Sequence, residues 1–179
     1  MQKRHVPATA LDWPAQIHET LRSFDVTQVA YVPDAGHRAL IELCHADRAM
    51  RAVPLSTEEE GIALAAGAWL GGARSALLMQ SSGVGNCTNM LSLARSCMFP
   101  LLSIVTMRGE WGEFNPWQIP MGQAVEPSFK LFGAIVLRAE SPDDVAPTVE
   151  AAAKLAFNSY NMVAVLLSQR LIGTKAFKD

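Results

Sequence analysis

Cysteine, aromatic rings and charge are all sparse in this chain. Its three cysteines, Cys44, Cys87 and Cys97, are odd in number and lack metal-ligand spacing. Such a set suits a reducing cytoplasm better than a disulfide framework. Aromatic residues make up 7 % of the chain, the net charge is −2, and no basic stripe is present. A nucleic-acid partner, which needs a positive track or a platform of stacking rings, is not expected. Lys3 and Arg4 are not followed by the apolar core of a signal peptide. The longest apolar run is too short, and too rich in glycine and alanine, to span a bilayer. These absences point to a cytoplasmic protein with no membrane segment.

Hydrophobic residues are plentiful, 50 % of 179, enough to fill the core of one domain and to hint at a buried interface as well. Residues 1–179 are expected to form a single domain, with 1–9 and 170–179 loosely held. Short β-branched runs predict strands over 28–32, 51–55, 75–79, 101–105, 134–137 and 162–167. Longer stretches predict helices over 11–24, 36–46, 58–71, 85–98, 124–132 and 142–157. Alternation of the two predicts an α/β fold: a single three-layer domain with a mostly parallel sheet of about six strands and helices on both faces. Pro54 marks an edge strand or a strand end, and Ser141-Pro142 a helix start. Ligands of such sheets bind beyond the carboxyl ends of the strands. The loops at 33–37, 56–58, 80–86 and 107–123 should therefore converge on one edge.

Glu58-Glu59-Glu60 stands at the mouth of an almost wholly apolar helix that runs from Gly61 toward Gly72. A helix apolar all round is expected to be buried, and a carboxyl at its entrance to be partly desolvated and suited to proton exchange. The same residues also read as a capping box, Ser56 with Glu59 or Thr57 with Glu60, in the favourable field of the helix dipole. On local sequence both readings stand.

Ser82-Gly83-Val84-Gly85-Asn86 follows a strand and opens a helix, so its backbone could approach a ligand closely. The third glycine of a dinucleotide fingerprint and the Gly-Lys-Ser/Thr of a P-loop are both missing, which leaves a tight strand–helix turn as the plain alternative. The segment 107–123 is the one long connection, and its Trp111, Phe114 and Trp117 suggest docking on the domain or on a second chain. Arg108 could pair with an anionic ligand or simply with Glu110 or Glu113. Among the scattered histidines only His37 falls on a strand-end loop, where packing or capping is as good a reading as catalysis; Asp34 and Gly36 suit a turn.

Taken together in order and spacing, Thr57-Glu58-Glu59-Glu60-Gly61, Ala65-Ala66-Gly67-Ala68-Trp69-Leu70 and Met79-Gln80-Ser81-Ser82-Gly83-Val84-Gly85-Asn86 resemble the pyrimidine-binding domain of thiamine-diphosphate enzymes. The likeness is greatest to the sulfopyruvate and phosphonopyruvate decarboxylases. Val32-Pro33-Asp34, Arg108-Gly109-Glu110 and Gln118-Ile119-Pro120-Met121-Gly122 extend it over about residues 25–135. The resemblance implies a glutamate that hydrogen-bonds N1′ of the cofactor's aminopyrimidine, in a reaction where the thiazolium accepts electrons from a 2-oxo acid losing carbon dioxide. Register against Gly67 assigns that role to Glu58 and register against Gly61 assigns it to Glu59; the Gly67 position is the more constrained and favours Glu58. Gln80, Ser81, Ser82, Gly83 and Asn86 would line the cofactor, while Asp34, His37, Arg108 and Gln118 would face substrate. Gln118 stands where phosphonopyruvate-type relatives carry a histidine, and His37 matches no family residue.

The family binds the diphosphate through Mg²⁺ and a Gly-Asp-Gly followed by Asn, and this sequence has no Gly-Asp-Gly. The resemblance thus implies no metal ligand in this chain. It implies a β subunit that carries the pyrophosphate-binding domain and the Mg²⁺, and a hetero-oligomer with its active site between the two chains. The expected activity is decarboxylation of a 2-oxo acid such as sulfopyruvate or phosphonopyruvate. A carboligase or lyase using another 2-oxo acid donor, or a domain serving assembly alone, are the alternatives.

Overall fold

The computed structural model describes residues 12–174. Six strands form one sheet in the order β2-β1-β3-β4-β6-β5, every neighbouring pair parallel. They are β1 Val26–Tyr31, β2 Arg51–Pro54, β3 Arg74–Gln80, β4 Leu101–Thr106, β5 Ile135–Ala139 and β6 Met162–Leu167. The interior strands read as unbroken apolar runs because both of their faces are covered. Along β3, Ala76 and Leu78 point to one core while Leu77 and Met79 point to the other. Helices α1 Trp13–Ser23, α2 Arg38–Ala46 and α7 Pro142–Ala153 cover the first face. Helices α3 Glu58–Leu70, α4 Ser81–Cys87, α5 Leu91–Cys97 and α6 Gln118–Leu131 cover the second. This is the expected three-layer α/β domain. Among the described residues no helix is long and apolar enough to cross a membrane.

Local chemistry sets several boundaries as expected. Pro54 ends β2, an edge strand. Ser141 precedes Pro142 at the start of α7, and the Asp144 carboxylate accepts from the Ser141 N–H at 3.0 Å. Asp12 caps α1 by accepting from the Ala15 N–H.

Four expectations change. The glycine segment is no turn: α4 begins at Ser81, directly on the end of β3, and the helix expected over 85–98 is two helices separated at 88–90. The long connection is shorter than its sequence suggests, since α6 already begins at Gln118, with Pro120 in the first turn where a missing N–H is harmless. Helix α3 is only half buried. Gly61, Ile62, Ala65 and Ala68 face the sheet, but Ala63 and Gly67 are exposed and Leu70 is 88 % exposed, because three layers leave its outer side uncovered. Finally, the tail expected to be loose from 170 forms a short helix, α8 Gln169–Ile172, with Gln169 buried. Residues 1–9 and 175–179, also expected to be loose, lie outside the described residues.

Two helical glycines behave oppositely. A Cβ on Gly122 would lie 2.1 Å from the Arg108 carbonyl oxygen and 3.0 Å from the Gly109 Cα, backbone that cannot step aside. A Cβ on Gly67 meets nothing within 4 Å. Gly122→Ala is therefore expected to destabilise the chain by about 1–3 kcal/mol. Gly67→Ala is expected to stabilise the isolated chain by about 0.5–1 kcal/mol through helix propensity. Urea unfolding of the two variants beside the wild type checks both signs.

Candidate functional site

Connections leave β1 and β3 in opposite directions along the sheet, so the crevice outside their carboxyl ends is the topological switch point. The loop after β1 and the start of α4 meet there. Asp34 is held from both sides: Thr106 Oγ1 donates to its Oδ2 at 2.6 Å, the Gly36 N–H to the same oxygen at 3.1 Å, and Gln80 Nε2 to Oδ1 at 2.9 Å. Burial pushes the Asp34 carboxyl up, but these hydrogen bonds and nearby His37 outweigh it and leave it below the ordinary carboxylate value. Asp34 and Gln80 line a small cavity of about 120 Å³ together with Thr106 and Arg108. They form a clasp between β1, β3 and β4.

His37 is not among the residues that line this cavity. It is 0 % exposed, with Nε2 3.2 Å from the Met79 carbonyl oxygen and 3.1 Å from that of Ile104. Two carbonyl acceptors require Nε2 to carry the proton. Burial holds its pKa below the ordinary imidazole value despite Asp34 and the two carbonyls. The ring is a neutral interior strut, and the packing reading of the sequence is the one its geometry fits.

On the α3–α4–α6 side lies a larger cleft of about 920 Å³, lined by Glu58, Ser82, Gly83, Asn86, Pro116, Trp117, Pro120, Met121 and Ala124. Glu58 is the first residue of α3 and is 8 % exposed. Its Oε2 accepts from Asn86 Nδ2 at 2.8 Å. A Cβ on Gly83 would fall 2.3 Å from both Cδ and Oε1 of Glu58, so a side chain there would push the carboxylate out of this position against α4. Glu59 and Glu60 are exposed. Glu60 accepts from the Ser56 N–H at 2.9 Å, one residue before the N-cap, and Thr57, the N-cap residue, makes no side-chain capping bond, so the capping box expected of Thr57 with Glu60 is not formed. The three carboxylates thus separate into one buried and two solvated groups.

Of the residues expected to line the cofactor, the structure gathers Ser82, Gly83 and Asn86 around Glu58. Gln80 sits in the Asp34 clasp and meets the cleft through Ser82, whose hydroxyl donates to Gln80 Oε1 at 2.9 Å. Ser81 is fully buried and accepts from the Arg108 N–H at 3.1 Å. Gln118 is half buried at the start of α6, outside the lining of the cleft.

Arg108 follows the plainer of its two readings. Its guanidinium grips the Glu113 carboxylate with two hydrogen bonds, Nε to Oε2 at 2.9 Å and Nη2 to Oε1, and the two side chains are 10 % and 2 % exposed. The tail helix completes the knot. Gln169 Oε1 accepts from the Glu110 and Trp111 N–H groups at 3.0 and 2.9 Å, and its Nε2 donates to Glu113 at 2.9 Å. Arg170 lies over the Trp111 ring at 4.7 Å and Arg108 over the Phe114 ring at 5.7 Å. Two of the three loop aromatics therefore dock on their own domain, while Trp117 stays 82 % exposed at the rim of the cleft. Gln169 and Arg170 escaped the sequence reading. Their signal was position, just past the carboxyl end of β6, where the strand-end rule applies as it does to the other loops.

No protein-family model matches the chain. Among characterised proteins it is similar to the sulfopyruvate decarboxylase subunit alpha of Methanococcus maripaludis, 33 % identical over 152 residues, which are 84 % of this chain and 91 % of the relative. That of Methanothermobacter thermautotrophicus is 32 % identical over 158 residues, covering 88 % of this chain and 96 % of the relative. The phosphonopyruvate decarboxylase of Streptomyces hygroscopicus is 43 % identical over 94 residues, 52 % of this chain and 23 % of that longer protein. In fold the chain is similar to 2-oxoglutarate:ferredoxin oxidoreductase from Magnetococcus marinus, with a TM-score of 0.73 at 17 % identity over 89 % of this chain and 29 % of that one.

The Arg108–Glu113 knot carries a pH dependence of known sign. The hydrogen bonds from Arg108, ahead of those from Asn115, Gln169 and Gly109, hold the Glu113 carboxyl down at about 2 against the opposing effect of burial. A carboxyl depressed on folding contributes fully above its ordinary value near 4.5, and the contribution is lost as pH falls toward 2. Urea midpoints measured from pH 6 to pH 3 should fall more steeply for the wild type than for Glu113→Gln, which starts lower and lacks this titration.

Proposed function

The chain belongs to the family of sulfopyruvate decarboxylase alpha subunits, and from that membership we propose that it is the pyrimidine-binding half of a thiamine-diphosphate-dependent 2-oxo acid decarboxylase. A β subunit bearing the pyrophosphate-binding domain and Mg²⁺ completes the site. The observation that carries this reading is the Glu58 carboxylate: buried at a helix start, seated on Gly83, tied on one oxygen to Asn86 and opening on the cleft. A carboxyl in such a place fits a ring nitrogen of a flat heterocycle. The cleft leaves room for one, and Pro116, Trp117, Pro120 and Met121 offer an apolar wall.

When bound, the cofactor supplies the electron sink that lets a 2-oxo acid lose carbon dioxide. The work of this chain is narrower. Glu58 holds a proton at N1′ of the aminopyrimidine, and general acid–base groups of this kind are worth about 10²–10⁴ in rate. Gly83 keeps the carboxylate close to the helix backbone. The apolar wall keeps water from one side of the ring, where a drier setting strengthens the hydrogen bond. The substrate fits the class of 2-oxo acids with an anionic substituent, sulfopyruvate or phosphonopyruvate. Arg108 is neutralised by Glu113 in this conformation, so the cation that reads that substituent is assigned to the β subunit.

The half-buried α3 and the exposed Trp117 support a partner seated over the cleft. Large exposed aromatics at such rims often act as binding hot spots, with losses of 2 kcal/mol or more on truncation, roughly thirtyfold in affinity. With the β subunit present, Glu58→Gln should lower turnover by about 10²–10⁴-fold while the complex still assembles, and Glu59→Gln should leave it near the wild type. Turnover retained in Glu58→Gln would sink the proposal. Trp117→Ala should weaken assembly about tenfold or more, as read by titration of one subunit with the other.

A further inference from the structure

The two oxygens of Glu58 are in unlike places. Oε2 accepts from Asn86 Nδ2 at 2.8 Å. Oε1 lies over Gly83, within 2.3 Å of where a Cβ would stand, and no described residue donates to it. The Ser82 hydroxyl in the cleft donates to Gln80 instead. The amide end facing the carboxylate is the nitrogen, because an ionised carboxylate only accepts. Gly83 and Asn86 are three residues apart on α4, so both present themselves on one side of that helix to the start of α3.

We propose that Asn86 is a positioning residue: by occupying Oε2 it reserves Oε1, the oxygen seated on the Gly83 cradle, as the one that carries the exchanged proton. This rests on the reading of Glu58 as the proton partner of the aminopyrimidine. A carboxyl free to turn divides its proton between two oxygens and two rotamers, and each misplacement costs productive geometry. One amide hydrogen bond removes that freedom without adding a charge. The remaining titratable neighbours do not compete. The Cys87 thiol is pushed up to about 12 by burial, with Glu58 and Glu59 adding to it, so it stays neutral. Glu59 is exposed on the outer side of α3.

The test pairs two substitutions of similar shape, Asn86→Leu, which cannot donate, and Asn86→Asp, which donates only when protonated. Both are measured in the complete two-subunit enzyme with thiamine diphosphate and Mg²⁺. Asn86→Leu should lower kcat about ten- to a hundredfold, the ordinary worth of a hydrogen bond to an ionised group, with KM for the 2-oxo acid little changed. Asn86→Asp should be at least as poor at pH 7.5 and regain activity relative to the leucine variant as pH falls toward 5.5, where the introduced carboxyl can donate again. Independently of turnover, the side-chain amide of Asn86 in the chain without cofactor should give a shifted, hydrogen-bonded resonance in ¹H–¹⁵N spectra that Glu58→Ala releases.

A wild-type Asn86 amide with the shift of a solvated group would overturn the inference. So would equal losses in both variants at every pH, accompanied by a lowered Tm. Wild-type turnover in Asn86→Leu beside a dead Glu58→Gln removes the role of Asn86 and leaves the proposed function standing. An active Glu58→Gln removes that function itself.

Discussion

The contact on which the site depends is that of a carboxylate with a glycine. Glu58, at the start of α3, takes its buried position against α4 where Gly83 has no Cβ; a side chain there would displace the carboxylate from it. Burying such a group is costly unless its lone pairs are met. Asn86 donates to one oxygen, and to the other, which lies over Gly83, no described residue donates. That close approach joins the start of α3 to α4 at the wall of the cleft, while Glu59 and Glu60 stay exposed. The parallel sheet supplies the setting, since both helices leave from strand ends on the same edge.

A second constraint holds the rim. The connection between β4 and α6 would be a long free loop but for the Arg108–Glu113 pair, the side chain of Gln169 and the stacking of Arg170 on Trp111. A buried ion pair of this kind is a poor source of net stability, but removing one partner leaves the other stranded. The pair fastens the loop that leads into α6, the helix that brings Pro120 and Met121 to the cleft. It also takes Arg108 out of the pool of free cations, which shifts recognition of an anionic substrate toward the second chain of the proposed enzyme.

Much of this could be read from residue order. Strand–helix alternation foretold the three-layer sheet, Pro54 the edge strand, and the acidic junction beside the glycine segment the place of the cleft. Other parts could not be read that way. Gln80 and Ser81 look like cleft residues by adjacency, yet the pleat and the helix that starts at Ser81 turn them toward Asp34 and Arg108. His37 looks available on its loop, but its ring is drawn between the β3 and β4 carbonyls. The apolar run after Gly61 suggests burial on all sides, whereas a single chain has nothing to lay over the outer face of α3.

Periodicity, helix-start signals and the order of its motifs were thus enough to determine the fold class and the edge of the sheet that carries the candidate site, because each depends on local propensity or on order along the chain, whereas the preference for Glu58 came from the family resemblance. Tertiary structure alone decided which neighbour serves that carboxylate, to which of its oxygens it donates, and that Gln169 closes the loop on Glu113. Those outcomes rest on contacts between residues 28 apart, as for Glu58 with Asn86, or 56 apart, as for Gln169 with Glu113, and no spacing in a linear sequence encodes the distance between atoms that meet only when the layers close.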